Sequence, residues 1–146
     1  MVRAAALTVL FALVTACGPG PMGASEEAAP PADAPDALAE TYAGEFDAIG
    51  TEPFWSVKVR SSGLVLARPD QAERRLSNPG VRLDGDQGVW DASAGEARLV
   101  VRLKPGACGD GMSDRVYRYF AEVWIDGETL KGCAERTALL QSAPRP

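Results

Sequence analysis

The stretch Arg115-Val116-Tyr117-Arg118-Tyr119-Phe120-Ala121-Glu122-Val123-Trp124-Ile125, with the Asp126-Gly127 step behind it, decides the fold. Tyr117, Tyr119, Ala121, Val123 and Ile125 fall at every second position, so an extended backbone puts all five on one face. Asp126-Gly127 is a strong two-residue hairpin signal, because the tight turn needs positive φ at both central residues. The chain then returns as a strand over Thr129 to Arg136.

Working upstream, Glu96 to Lys104 alternates as clearly. Ala97, Leu99, Val101 and Leu103 point one way, with Arg98, Arg102 and Lys104 opposite, and Pro105-Gly106 is expected to end the strand. Phe54 to Arg60 places Trp55, Val57 and Val59 on one face. Shorter strands are expected over Tyr42 to Gly50, Leu64 to Arg68, Ala72 to Ser77, Val81 to Leu83 and Val89 to Ala92. Turn clusters such as Ser62-Gly63, Asn78-Pro79-Gly80 and Asp84-Gly85-Asp86 separate them. About eight short strands joined by hairpin turns predict an all-β antiparallel meander, closed or nearly closed into a small barrel. A sandwich is the alternative.

The chain has 146 residues, 46% hydrophobic and 24% charged, enough for one compact domain. Its net charge is -5 and it has no histidine. The acidic balance argues against a nucleic-acid partner. Without histidine there is no Ser-His-Asp or Cys-His nucleophile pair, no His-ligated zinc and no imidazole pH switch. Residues 40–146 carry 16 acidic and 14 basic side chains, so the folded part is nearly balanced.

The N-terminus reads as an address. Met1-Val2-Arg3 precedes a mostly apolar run from Ala4 to Leu13, the length of a signal-peptide core and too short to span a bilayer, which needs about 20 residues. Leu13-Val14-Thr15-Ala16-Cys17 resembles the lipobox of bacterial lipoproteins. That resemblance implies cleavage before Cys17, diacylation of its thiol and anchoring through several acyl chains. Gly18 after the cysteine, by resemblance to the Gram-negative sorting rule, implies an outer-membrane lipoprotein facing the periplasm. The alternative is a secreted chain cut after Ala16. Residues 18–39 hold five of the 11 prolines, four acids and no aromatic residue. Such a segment is expected to stay a disordered tether, reaching about 25 Å as a coil and about 70 Å as polyproline II. The expected organisation is therefore a signal peptide over 1–16, a lipidated linker over 17–39 and the β-domain over 40–146.

With Cys17 assigned to lipid, Cys108 and Cys133 remain. In an oxidising compartment two cysteines pair, closing a 25-residue separation. The alternative is two free thiols. Two distant cysteines without histidine make no metal site.

Two segments are chemically unusual. In Gly50-Thr51-Glu52-Pro53-Phe54-Trp55, Pro53 holds Glu52 extended and places two bulky aromatics on opposite faces. Either the pair forms a ligand platform, or Trp55 is core and Phe54 plugs an end. In Cys108-Gly109-Asp110-Gly111-Met112-Ser113-Asp114-Arg115, the acids do not match a calcium loop. Asp110 and Asp114 would form an acid/base pair only in a pocket that raises one pKa. The plainer reading is a turn whose aspartates cap backbone donors, with Arg115 paired to Asp114.

Taken together, GTEPFWSVKV, CGDGMSDRVYRY and LKGCA resemble a family of bacterial envelope lipoproteins carrying GTEPFW, C-x-DGMSD and L-x-GC motifs in this order. The resemblance covers Ile49 to Ala134. It departs at Arg118, where the family commonly has proline. It implies a periplasm-facing β-domain with a Cys108–Cys133 bridge and no assigned activity. The outline is also similar to the membrane-bound inhibitors of c-type lysozyme and to META domains. Ser93-Ala94-Gly95-Glu96-Ala97-Arg98 is a distant echo of the inhibitors' serine loop, and Glu96 would place a like charge near lysozyme's catalytic carboxylates.

The reading that follows is a non-catalytic binding or structural module of the envelope, with no cofactor and no metal. Its candidate surface is Glu52, Phe54, Trp55, Asp110, Ser113 and Asp114. Its partner is expected to be an envelope protein, a peptide or a small polar ligand, with the membrane engaged through lipid. An inhibitor of lysozyme or another envelope hydrolase is the alternative. If the strands lie as a small meander barrel, the two unusual segments are expected to meet at one end.

Overall fold

A computed structural model of the chain describes residues 34–142. The leader, Cys17 and residues 18–33 of the tether lie outside the described residues. The element order is α1 (Ala34–Thr41), β1 (Phe46–Thr51), β2 (Phe54–Arg60), β3 (Gly63–Ala67), β4 (Arg74–Leu76), β5 (Arg82–Asp84), β6 (Gln87–Ala94), β7 (Ala97–Gly109), β8 (Val116–Ile125), β9 (Glu128–Arg136) and α2 (Thr137–Ser142). The nine strands form one antiparallel sheet in the order β4-β3-β2-β1-β9-β8-β7-β6-β5. Every neighbour is joined by a hairpin except β9 and β1, whose pairing of Ala48 with Ala134 joins the two halves of the meander.

The sheet curls into a partial barrel that stays unpaired between β4 and β5. Arg68 at the end of β3 reaches Glu128 at 2.6 Å, and Arg74 of β4 reaches Asp126 in the β8–β9 turn at 2.5 Å. Elements several strands apart in the sheet therefore meet across the fold. The two free edges are three residues each, short templates for unwanted strand pairing. A single sheet excludes the sandwich.

The alternation predicts the core. Leu99, Val101 and Leu103 of β7 and Val123 of β8 are 0% exposed. Tyr117, Tyr119, Ala121 and Ile125 are buried with them. Asp126 and Gly127 take φ of 50° and 84°, as the predicted turn requires.

Three expectations are corrected. Strand β7 does not stop at Pro105-Gly106 but runs on to Gly109. Its register against β8 shifts between Pro105 and Cys108, and this irregularity accommodates a proline that cannot donate to the ladder. Tyr42 opens no strand; it is buried in the turn behind α1, and β1 begins at Phe46. Residues 34–39 are not coil but the start of α1. Ala37 to Glu40 are good helix formers, with Pro35 in the first turn, where its missing N–H costs nothing. The deciding partner is far away in sequence. The Arg136 guanidinium donates to the carbonyls of Glu40, Thr41 and Ala43 at 2.7–2.8 Å, supplying donors and positive charge to the C-terminal end of the helix.

Cys108 and Cys133 are disulfide-bonded with Cα atoms 5.6 Å apart. With Tyr117 they form a second apolar cluster, covered by Ile49 and by Leu140 of α2. A polar network ties α2 to the sheet: Arg60 donates to Thr137 at 3.0 Å and to Asp47 at 2.6 Å, and Thr137 donates to Asp47 at 2.7 Å.

Candidate functional site

The β1–β2 hairpin carries the first unusual segment. Thr51 pairs with Phe54, and Glu52 and Pro53, joined by a cis peptide, form the tip. Period-2 alternation sends Phe54 outward, 54% exposed, and Trp55 inward, 4% exposed. The Trp55 ring lies over Gly50 and Gly132. A Cβ at Gly50 would come 2.0 Å from the indole nitrogen, and one at Gly132 would come 1.9 Å from the Ile49 carbonyl oxygen. Glycine at both positions is the condition for seating the ring. The buried indole Nε1 has no hydrogen-bond partner among the described residues.

The second unusual segment is organised around one carboxylate. Asp110 Oδ1 accepts the backbone N–H groups of Met112 at 3.0 Å and Ser113 at 2.8 Å. Its Oδ2 accepts the hydroxyls of Ser113 at 2.9 Å and Tyr117 at 3.2 Å. The Met112 and Ser113 backbone donors, aided by the two hydroxyls, hold the Asp110 carboxyl at a pKa of about 2. Burial pushes the Tyr117 phenol above its ordinary value, with the Asp110 charge acting in the same direction.

The two segments meet. The Thr51 hydroxyl donates to the Asp110 carbonyl at 3.2 Å. The bridge explains how: Cys133 pairs with Ile49 across β9 and β1, so bonding it to Cys108 brings the start of the loop beside the hairpin. Between them lies a cavity of about 390 Å³, walled by Ile49, Phe54, Ala67 and Met112, with Arg68 and Asp110 at its polar margin. A smaller hollow of about 290 Å³ on the Cys133 side of the hairpin is bordered by Glu52, Gly109, Asp110 and Lys131.

The candidate residues separate accordingly. Phe54 and Asp110 border the larger cavity, together with Met112, Ile49 and Arg68, which the sequence reading missed. Met112 stood inside the marked loop. Ile49 and Ala67 lie in segments that the sequence marks as strands without assigning their faces. Trp55 borders the cavity too, while its ring belongs to the core, the second of the two readings of this aromatic pair. Glu52 faces the smaller hollow. Ser113 serves Asp110, and its oxygen accepts the Arg115 N–H at 3.3 Å. Asp114 is exposed and borders neither hollow, and the expected Asp114–Arg115 ion pair is not formed.

This geometry constrains the chemistry. Asp110 shares a hollow with Glu52, but four donors occupy its carboxylate and keep it ionised, so it holds no proton to give near neutral pH. Among the described residues no three carboxylate or cysteine side chains gather as metal ligands. The Ser93–Arg98 segment is the β6–β7 hairpin, with Gly95 at φ 59°; its Arg98 is held by both oxygens of Asp91 at 2.8 and 2.7 Å. That pairing holds the Asp91 carboxyl below its usual range. No family model, no curated protein and no solved structure matches the chain.

Proposed function

We propose that the chain is a lipid-anchored binding module of the bacterial cell envelope, held through Cys17 in the outer membrane and facing the periplasm. Its ligand site is the cavity between the β1–β2 hairpin and the 109–115 loop. The observation that carries the site is the meeting of two segments, remote in sequence, around an apolar cavity that leaves Phe54 54% and Met112 68% exposed. A cavity of about 390 Å³ lies within the range of small-ligand pockets, and Met beside an aromatic ring makes an adaptable apolar wall. A small molecule with an apolar body, or an apolar side chain of a peptide, fits that lining. The anchor is supported by the Leu13–Cys17 motif and by the proline-rich segment between it and the domain.

Metabolic labelling with radioactive palmitate tests the anchor. The chain is expected to take up label and the Cys17→Ser variant to take up none; label on both variants, or on neither, overturns it. The site is tested by alanine at Phe54 and at Met112. Both side chains are more than half exposed, so each variant should lose at most about 0.5 kcal/mol of stability. A loss of about 2 kcal/mol or more would make the pair a structural plug.

A further inference from the structure

On the outer face of β7, β8 and β9 lies a hollow of about 330 Å³, which shares Lys131 and Gly132 with the smaller hollow beside the hairpin. Arg102 and Lys104 of β7 and Lys131 of β9 border it, with Gln87 at its rim and Phe120 as its apolar wall. The period-2 alternation that buries Val101, Leu103 and Leu130 turns these cations to the same side. Across the sheet Arg102 stands opposite Glu122, and Glu122 opposite Lys131.

The charge count is unequal there. Glu122 is the acid that borders the hollow, and it is 3.5 Å from Arg102. Lys104 has Asp86 at the limit of contact, 3.9 Å away, in the β5–β6 turn. Lys131 makes no ion pair among the described residues. Three cations, one acid and a side-chain amide converge on one concavity of a chain whose net charge is -5. With Asp86 set against Lys104 and Glu122 against Arg102, about one positive charge is left over, and a phosphate group, with one negative charge as a diester and about two as a monoester, supplies its counter-charge. Phe120 is 49% exposed and lies close enough to Gly106 that a Cβ there would come 2.6 Å from the ring. Its free face offers apolar contact to whatever body carries the anion.

We propose that this hollow binds a phosphate group, with Arg102, Lys104 and Lys131 as its cationic donors and Phe120 contacting the attached apolar or polyol portion. The same chemistry is available from a phospholipid headgroup and from a soluble phosphate ester. The proposal is independent of the hairpin cavity and of the lipid anchor.

The test uses the chain beginning at residue 18, which keeps every described element and lacks Cys17. Amide NMR shifts are followed while inorganic phosphate, then glycerol phosphate, is added against chloride of equal ionic strength. Saturable shifts at residues 102–104, 120 and 131 are expected, and Lys104→Gln with Lys131→Gln should weaken binding about tenfold or more while the rest of the spectrum stays folded. Co-sedimentation with phosphatidylglycerol and with phosphatidylcholine vesicles separates the sources. Anionic-vesicle binding that falls in Phe120→Ser assigns the group to a lipid surface, and soluble-phosphate shifts without vesicle binding assign it to a free ester. Shifts that do not saturate, that chloride reproduces, or that survive the double substitution overturn the site.

Discussion

Two buried aromatic rings in this fold are seated on glycine, and they are finished differently. Tyr42, behind α1, lies over Gly88, where a Cβ would come 2.5 Å from its ring. Its hydroxyl is within hydrogen-bond reach of the carbonyls of Asp86 and of Leu103, the latter at 3.1 Å. Burial pushes this phenol above its ordinary pKa, as expected for a group kept neutral inside. Trp55 lies over Gly50 and Gly132, is also buried, and leaves its N–H without a partner among the described residues. The Tyr42 region is further closed by Phe46, Trp90 and Tyr119 and by the Arg136 cap on α1. Around Trp55 the outer surface instead opens into the Phe54–Met112 cavity. One region has the hydroxyls of Tyr42 and Tyr119 bonded to backbone carbonyls and is built as structure. The other carries an unpaid polar donor beneath an open apolar trough, which is where a binding surface belongs.

The largest way to break this comparison is through the glycines. Gly132→Ala puts a methyl against backbone, 1.9 Å from the Ile49 carbonyl, and backbone cannot turn aside as a side chain can. A loss of more than about 3 kcal/mol in urea unfolding, or failure to fold, is expected. Gly85→Ala is the control, since nothing lies within 4 Å of its added Cβ and only its φ of 61° opposes the change; it should cost about 1 kcal/mol. Equal effects at the two sites would mean that the ring seats are not tight.

Next in size is the bridge. Cys133→Ser should cost about 2–5 kcal/mol, and alkylation without reduction should label neither Cys108 nor Cys133. Labelling of both thiols in the folded chain would contradict the bond. The same variant sharpens the account of the loop: with the bridge gone, the Thr51–Asp110 contact should loosen, and amide exchange over 109–115 should quicken before that of the β7–β8 ladder.

Smaller still is the direct contrast between the two rings. Tyr42→Phe removes the one O–H that serves this pair of carbonyls and should cost about 1–2 kcal/mol. Trp55→Phe loses packing volume but also removes an unpartnered buried N–H, so the two effects offset, and a net change within about 1 kcal/mol is expected. A Trp55→Phe loss well beyond that of Tyr42→Phe would show that the indole nitrogen is satisfied after all.

The most local effect is at Asp110. Its folded pKa of about 2 lies below the ordinary 3.8, so the contribution is fully present above pH about 4 and is lost as pH falls toward 2. The unfolding midpoint should drop over that window, and Asp110→Asn should flatten the drop. An unchanged pH profile in the variant would remove the four-donor account of the loop.

What the sequence disclosed follows a physical line. Alternation is local, so Tyr117 to Ile125, Leu99 to Leu103 and Trp55 to Val59 could be placed on their faces without knowing any partner. Turn chemistry is local too, and Asp126-Gly127 behaves as read. Helix α1 was not legible, because its C-terminal carbonyls are capped by Arg136, which arrives only once β9 has paired with β1. The continuation of β7 past Pro105 was missed because a proline ends a regular ladder but not an irregular one. At the site, Phe54 and the Asp110 loop were conspicuous by composition. The walls supplied by Ile49, Ala67 and Arg68 are ordinary outward residues, and only the curl of the sheet makes them a cavity. Glu52 and Asp114 are acids in the same two segments, yet the curl places neither in it.

The central claim is that the Phe54–Met112 surface is kept open for a partner. Its most direct test is photo-crosslinking in intact cells, with a benzoylphenylalanine placed in turn at 54, at 112 and at Val81, which is 37% exposed in the β4–β5 loop and does not border the cavity. The account predicts one discrete adduct shared by positions 54 and 112 and absent from position 81. The same adducts at all three positions, or none at 54 and 112 in envelopes where the chain is present and folded, would contradict it.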